Sequence, residues 1–207
     1  MANEKTKNRV GILVACLIIM VFAGVLNSAS VFVSPLAKHF GWTTDAIANV
    51  STIMLLCWTP GCLLGGNLMA KIGAKKSILL GGVLFSMGLL CTSFVPQNAP
   101  WLLYVTFSFM QGVGNGLTYT VATYVSTSWF PDRRGLAAGL CMACNGGASA
   151  FLAPICAKLT EATSIIVTLR TVGIAALVVV LVCGMFVEYA PAGYMPAGFK
   201  PTAGNSD

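Results

Sequence analysis

The sequence predicts an all-α, polytopic membrane protein with six transmembrane helices, on three observations. Apolar residues make up 57% of the 207-residue chain and charged residues only 9%, whereas a soluble domain carries about 25% charged residues. Too few charges exist to cover a water-facing surface, and the mean hydropathy is +0.83. Stretches of roughly 20 apolar residues, enough to cross a bilayer core of about 30 Å as a helix, recur along the whole chain. Their recurrence excludes a cleaved secretory leader as the explanation, and the apolar content excludes disorder.

The six stretches follow in order. The first runs from about Val10 to Leu36 after the basic residues Lys5, Lys7 and Arg9. The second runs from Asp45 to Ala70, opening on Thr43, Thr44 and Asp45, which suit a helix start and its dipole. The third runs from Ser77 to Val95, the fourth from Trp101 to Trp129, the fifth from Gly135 to Leu159 and the sixth from Ser164 to Val187. Pro35, Pro60 and Pro154 fall inside spans, as membrane helices tolerate. Residues 1–9 form an N-terminal segment, 10–187 the transmembrane domain, and 188–207, with Pro191, Pro196 and Pro201, a flexible tail.

Lys and Arg divide unevenly between the two sides of these spans. Lys5, Lys7, Arg9, Lys71, Lys75, Lys76, Arg133, Arg134 and Lys200 fall on one side, and Lys38, Lys158 and Arg170 on the other. The positive-inside rule then puts both termini in the cytoplasm of a multi-pass cell-membrane protein. The net charge of +6 reads as topology rather than as a nucleic-acid surface. The partner expected from it is the lipid bilayer.

The eight cysteines all lie in apolar runs and read as small hydrophobes. Cys141 and Cys144 have half-site spacing, but no second pair or local histidine accompanies them, so no metal and no cofactor is expected. Small residues four apart predict close helix packing: Gly61 and Gly65, Gly82 and Ser86, Gly112 and Gly116, and Gly135, Gly139, Ala143 and Gly147. The triplet Gly112, Gly114 and Gly116 lacks the third glycine of a dinucleotide fingerprint, because Leu117 stands there.

No ionisable side chain sits at mid-membrane depth; Arg170 lies close enough to its span's end to snorkel. Uncharged polar residues do sit there. Gln111, Asn115 and Tyr119 share one face of the fourth span, with Asn27, Trp58 and Asn145 at comparable depth. Each amide taken singly reads as bonding a neighbouring helix, and the stripe taken together reads as lining a water-filled cavity.

Two loops carry a family resemblance. Between the second and third spans, Gly66-Asn67-Leu68-Met69-Ala70-Lys71-Ile72-Gly73-Ala74-Lys75-Lys76 resembles the signature loop of the major facilitator superfamily, with Ala70 where that pattern has aspartate. Between the fourth and fifth, Trp129-Phe130-Pro131-Asp132-Arg133-Arg134-Gly135 is similar to the matching loop of the oxalate/formate antiporter branch. The Gly112–Gly116 run, Tyr119 and the tail from Pro191 to Pro196 are similar to the same branch.

The resemblance implies the amino-terminal six-helix half of a twelve-helix transporter, built as two inverted three-helix repeats. It implies a secondary transporter for small organic anions, mono- or dicarboxylates, working by alternating access, partnered by a second six-helix half or a second copy. Asn27, Tyr119 and Asn145 fall where the branch lines its cavity, and Gly66, Ala70, Lys71, Gly73, Lys75 and Lys76 form the cytoplasmic gate loop. Asp132, Arg133 and Arg134 belong to the second loop. No enzyme and no nucleic-acid partner is implied. A truncated, non-transporting fragment and a channel stand as alternatives. An intramembrane hydrolase using Ser149 needs a base, and His39, the sole histidine, falls in the first outer loop.

Overall fold

The computed structural model describes residues 2–24, 29–99 and 101–190, which contain helices and no strand. Helix α1 covers Ala2–Ala23, α2 Ala29–Phe40, α3 Thr44–Ile72 and α4 Ala74–Thr92. A π-wound segment, Tyr104–Met110, runs directly into α5, Gln111–Trp129. Helices α6, Arg134–Ala162, and α7, Ile165–Gly184, complete the bundle.

Local chemistry sets these boundaries. Thr43, in extended conformation, accepts the Ala46 N–H at 3.3 Å, and Asp45 lies in the first turn of α3. Ser164 caps α7 in the same way through the Val167 N–H. Gly73 alone separates α3 from α4: its φ of +85° breaks the helix while its N–H reaches the Met69 carbonyl at 3.1 Å, a left-handed position that favours glycine.

Four helices among the described residues are long and apolar enough to cross a membrane: Asp45–Ile72, Ala74–Thr92, Arg134–Ala162 and Ile165–Gly184. They coincide with the second, third, fifth and sixth expected spans. The first expected span is not one continuous described helix. Its residues form α1 and α2, and 25–28 between them, with Asn27, lie outside the described residues, as do 191–207 of the expected tail. The fourth corresponds to the π segment and α5, which is enclosed by its neighbours rather than strongly apolar.

Helix α5 sits at the centre because its glycines face two ways. At 100° per residue, Gly112 and Gly116 share a face and Gly114 points to the opposite one. A methyl on Gly112 would meet the Met54 carbonyl at 2.5 Å and Cys57 at 2.9 Å, and one on Gly116 would strike the Trp58 carbonyl, both on α3. A methyl on Gly114 would strike the Phe85 backbone on α4. Gly61 and Gly65 of α3 and Gly81 of α4 return the contact against Val113, Leu117 and Gly114. The triplet is a packing wedge between two helices.

Hydrophobic clusters occupy the two ends of the bundle. One gathers Phe32, Leu36, Phe85, Leu89, Phe107 and Leu169. The other gathers Ile12, Met20, Ile78, Val121, Trp129 and Val180.

The small-residue row of the fifth span corrects the packing expectation. A methyl on Gly135, Gly139 or Gly147 would meet nothing within 4 Å, and Ala143 is exposed. Small residues permit close approach without requiring it, and here no described helix approaches. The apolar window of α6 is 17% buried and that of α3 22%, against 50% for α4. Both α3 and α6 therefore present open apolar faces, marked by Leu56, Leu63, Phe151 and Ile155.

Candidate functional site

Side chains of two other helices reach the last turn of α1. The Asn115 side-chain amide of α5 donates to the Ala23 carbonyl at 2.6 Å, and the Asn145 amide of α6 donates to the Met20 carbonyl at 3.4 Å. Gly24 makes this convergence possible, because a methyl there would strike the Asn145 backbone and meet Ala148 at 2.6 Å. The two amides thereby tie α5 and α6 to the last turn of α1.

One turn beyond Asn115, the Tyr119 ring lies 5.4 Å from the Trp58 ring of α3, tilted by 58°. Both are half-buried. Tyr119, Thr120, Thr123, Tyr124 and Thr127 then line a cavity of about 330 Å³ along α5. The Thr123 hydroxyl donates to the Tyr119 carbonyl at 2.8 Å, and Thr127 donates to the Thr123 and Tyr124 carbonyls, each at 3.0 Å. Those two hydroxyls offer a ligand only lone pairs. The tyrosine hydroxyls carry the donors.

One turn the other way, Gln111 is 1% exposed and its Oε1 has no hydrogen-bond partner. It stands at the junction of the π segment and α5, and π turns in α-helices are frequently found at functional positions. The structure thus brings Asn115 and Asn145 onto the last turn of α1, sets Tyr119 against Trp58 one turn along α5, and buries Gln111 one turn the other way. Asn27 lies outside the described residues.

The two loops meet at one end of the bundle. Ala70, Lys71, Lys75 and Lys76 are exposed around Gly73, a methyl on Gly66 would meet nothing, and Arg133 and Arg134 are exposed. Asp132 is not free: Arg9 approaches it at 3.8 Å and lies 4.9 Å over the Phe130 ring. Trp129 Nε1 donates to the Glu188 carbonyl at 2.6 Å, tying the chain after α7 to the same end. At the opposite end Gln97 Nε2 donates to the His39 carbonyl at 2.9 Å.

Sequence reasoning counted Arg9 only as a topology charge and passed over Thr123, Tyr124 and Thr127. Their hydroxyls continue the spacing of Tyr119 by turns of the helix, a signal that was available. Ser149 donates to its own helix at Gly146, and no group of three metal-ligating side chains occurs among the described residues.

The sequence matches the profile of the Major Facilitator Superfamily over residues 14–201. The chain belongs to that superfamily. It is 32% identical over 131 residues to monocarboxylate transporter 11 of Mus musculus, covering 63% of this chain and 29% of that protein. It is 27% identical over 154 residues to the oxalate:formate antiporter of Oxalobacter formigenes, covering 70% and 36%. With apicoplast pyruvate carrier 1 of Toxoplasma gondii it shares 32% identity over 140 residues, covering 67% and 25%. The chain thus matches about a quarter to a third of the length of these relatives.

Proposed function

We propose that the chain forms one six-helix half of a secondary transporter for small organic anions, mono- or dicarboxylates, arranged as two inverted three-helix repeats and working by alternating access. The observation that carries this is the row of polar and aromatic side chains along α5 and its neighbours, with Asn115 and Asn145 on the last turn of α1 and Tyr119 against Trp58, in a superfamily whose named relatives carry monocarboxylates, oxalate, formate and pyruvate. Transporter sites of this kind lie near the midplane, at the interface of the repeats. Asn27, Trp58, Gln111, Asn115, Tyr119 and Asn145 line the substrate cavity in this reading.

The open faces of α3 and α6 support a second six-helix half, or a second copy, as the partner. The cavity side chains are neutral, and a carboxylate at mid-membrane needs a compensating charge. That charge comes from the partner. The basic end, with both termini, faces the cytoplasm of the cell membrane. There Gly66, Ala70, Lys71, Gly73, Lys75 and Lys76 act as the gate loop beside Asp132, Arg133 and Arg134.

Proteoliposomes provide the test, assayed for oxalate, formate and lactate uptake with this chain alone and with a basic-residue-bearing second half. Uptake only in the combined preparation, lost on Tyr119→Ala, is the expected result. Saturable uptake by a monomeric preparation of this chain alone overturns the half-transporter reading.

A further inference from the structure

Arg170 carries a positive charge that no described acidic group answers. The one ion pair among the described residues is Arg9 with Asp132. Instead Arg170 Nε donates to the Ser93 hydroxyl oxygen at 3.2 Å, and its guanidinium lies 4.5 Å from the centre of the Phe94 ring. The Ser93 hydroxyl is itself oriented, donating to the Leu90 carbonyl at 2.7 Å. Gly173 holds this geometry, since a methyl there would meet Leu90 at 2.9 Å and push α7 away from α4.

A guanidinium has five N–H donors in a rigid fork. One is committed to Ser93, and the four on the terminal nitrogens remain for a ligand. Snorkelling alone sends a mobile charge into water, whereas this one is pinned in place. Below it, Ile174, Val178 and Val182 follow at spacings of four, 54%, 52% and 55% exposed. They form an apolar track about 12 Å long at 1.5 Å per residue, most of one leaflet of a bilayer core. The track lies on the most apolar of the four candidate spans. Phe94, 70% exposed, flanks the cation at the interface.

We infer that Arg170, Ser93 and Phe94 form a phospholipid site, with the guanidinium fork holding the phosphate and one acyl chain lying along Ile174, Val178 and Val182. The geometry suits phosphate because its oxygens accept two parallel N–H bonds from the fork. The track suits an acyl chain because it begins one helical turn from the cation. The inference requires only that α7 lie in a bilayer and stands apart from the transport reading.

The test is native mass spectrometry of the full chain released from detergent, titrated in turn with phosphatidylglycerol, phosphatidylcholine, diacylglycerol and inorganic phosphate. Both phospholipids should be retained, and diacylglycerol and inorganic phosphate should not. R170Q should cut phospholipid retention at least fivefold, with R170K intermediate and K158Q unchanged. F94A alters only an exposed ring, so it folds even if R170Q does not, and should weaken retention severalfold. Equal retention of diacylglycerol, retention of inorganic phosphate alone, or unchanged retention in both R170Q and F94A overturns the site.

Discussion

Asn115 donates its side-chain amide to the main-chain carbonyl of Ala23, 92 residues away in sequence, at 2.6 Å. The bond joins the first turns of α5 to the last residue of α1. In the described arrangement its first role is structural.

Asn115→Leu should therefore lower stability by about 0.5 to 1.5 kcal/mol, the net contribution of a buried hydrogen bond. Asn145→Ala should cost less, because its bond to Met20 is 3.4 Å long and the residue is half-buried. Thermal unfolding in detergent measures both. The reverse order would place the critical cap on α6 instead of α5.

Gln111 gives the opposite expectation. Its Oε1 is buried without a partner, a defect of about 1 to 3 kcal/mol, so Gln111→Met should leave thermal stability unchanged or raised. If Gln111 serves the substrate, the same variant should lose uptake in the complete assembly. A variant that melts earlier than the parent would show that Gln111 has an unrecognised structural role.

The helices were legible in the sequence because hydropathy over twenty residues is set by the medium, and Gly73 was legible because its loop pattern demands a glycine. The contacts of the last turn of α1 were not, because the amides of Asn115 and Asn145 that reach Ala23 and Met20 lie some ninety or more residues downstream. The α6 row misled for a related reason: a sequence of small residues specifies what can approach, and the approaching surface belongs to whatever element is present. The polar stripe of Gln111, Asn115 and Tyr119 was expected to line a water-filled cavity, whereas Asn115 is 2% and Gln111 1% exposed, and of the three only Tyr119 borders the cavity along α5; that burial depends on α1 and α3 closing over the stripe.

The pair Arg9 and Asp132 joins the start of α1 to the loop before α6. Each side chain is about a quarter exposed and the separation is 3.8 Å, so the pair contributes less than about 1 kcal/mol. Asp132→Asn should barely change the melting temperature. It should, however, loosen the basic end, read as faster hydrogen exchange at the first turn of α6. Exchanging the two, as Arg9→Asp with Asp132→Arg, should restore protection if the attraction matters, and leave exchange fast if only the Phe130 contact does.

Accessibility tests the orientation. In a background freed of native cysteines, Lys75→Cys and Asn98→Cys introduce thiols at exposed positions on opposite ends. A membrane-impermeant reagent added outside intact cells should label position 98 and spare position 75. Labelling of 75 alone would invert the topology inferred from the basic residues.

Two glycine substitutions separate packing within this chain from packing against a partner. Gly114→Ala drives a methyl into the Phe85 backbone, which cannot yield as a side chain would. Overpacking of this kind costs typically 1 to 3 kcal/mol, so the isolated chain should melt earlier. Gly139→Ala places its methyl in open space, and alanine is the better helix former by about 0.5 to 1 kcal/mol, so the isolated chain should be unchanged or slightly more stable. A second half seated on α6 reverses that result: the added methyl would then hold two helices apart and weaken association severalfold, read by co-purification of the two halves. Full stability together with undiminished association would mean that the Gly139 face meets lipid, and that the second half docks through α3 without α6.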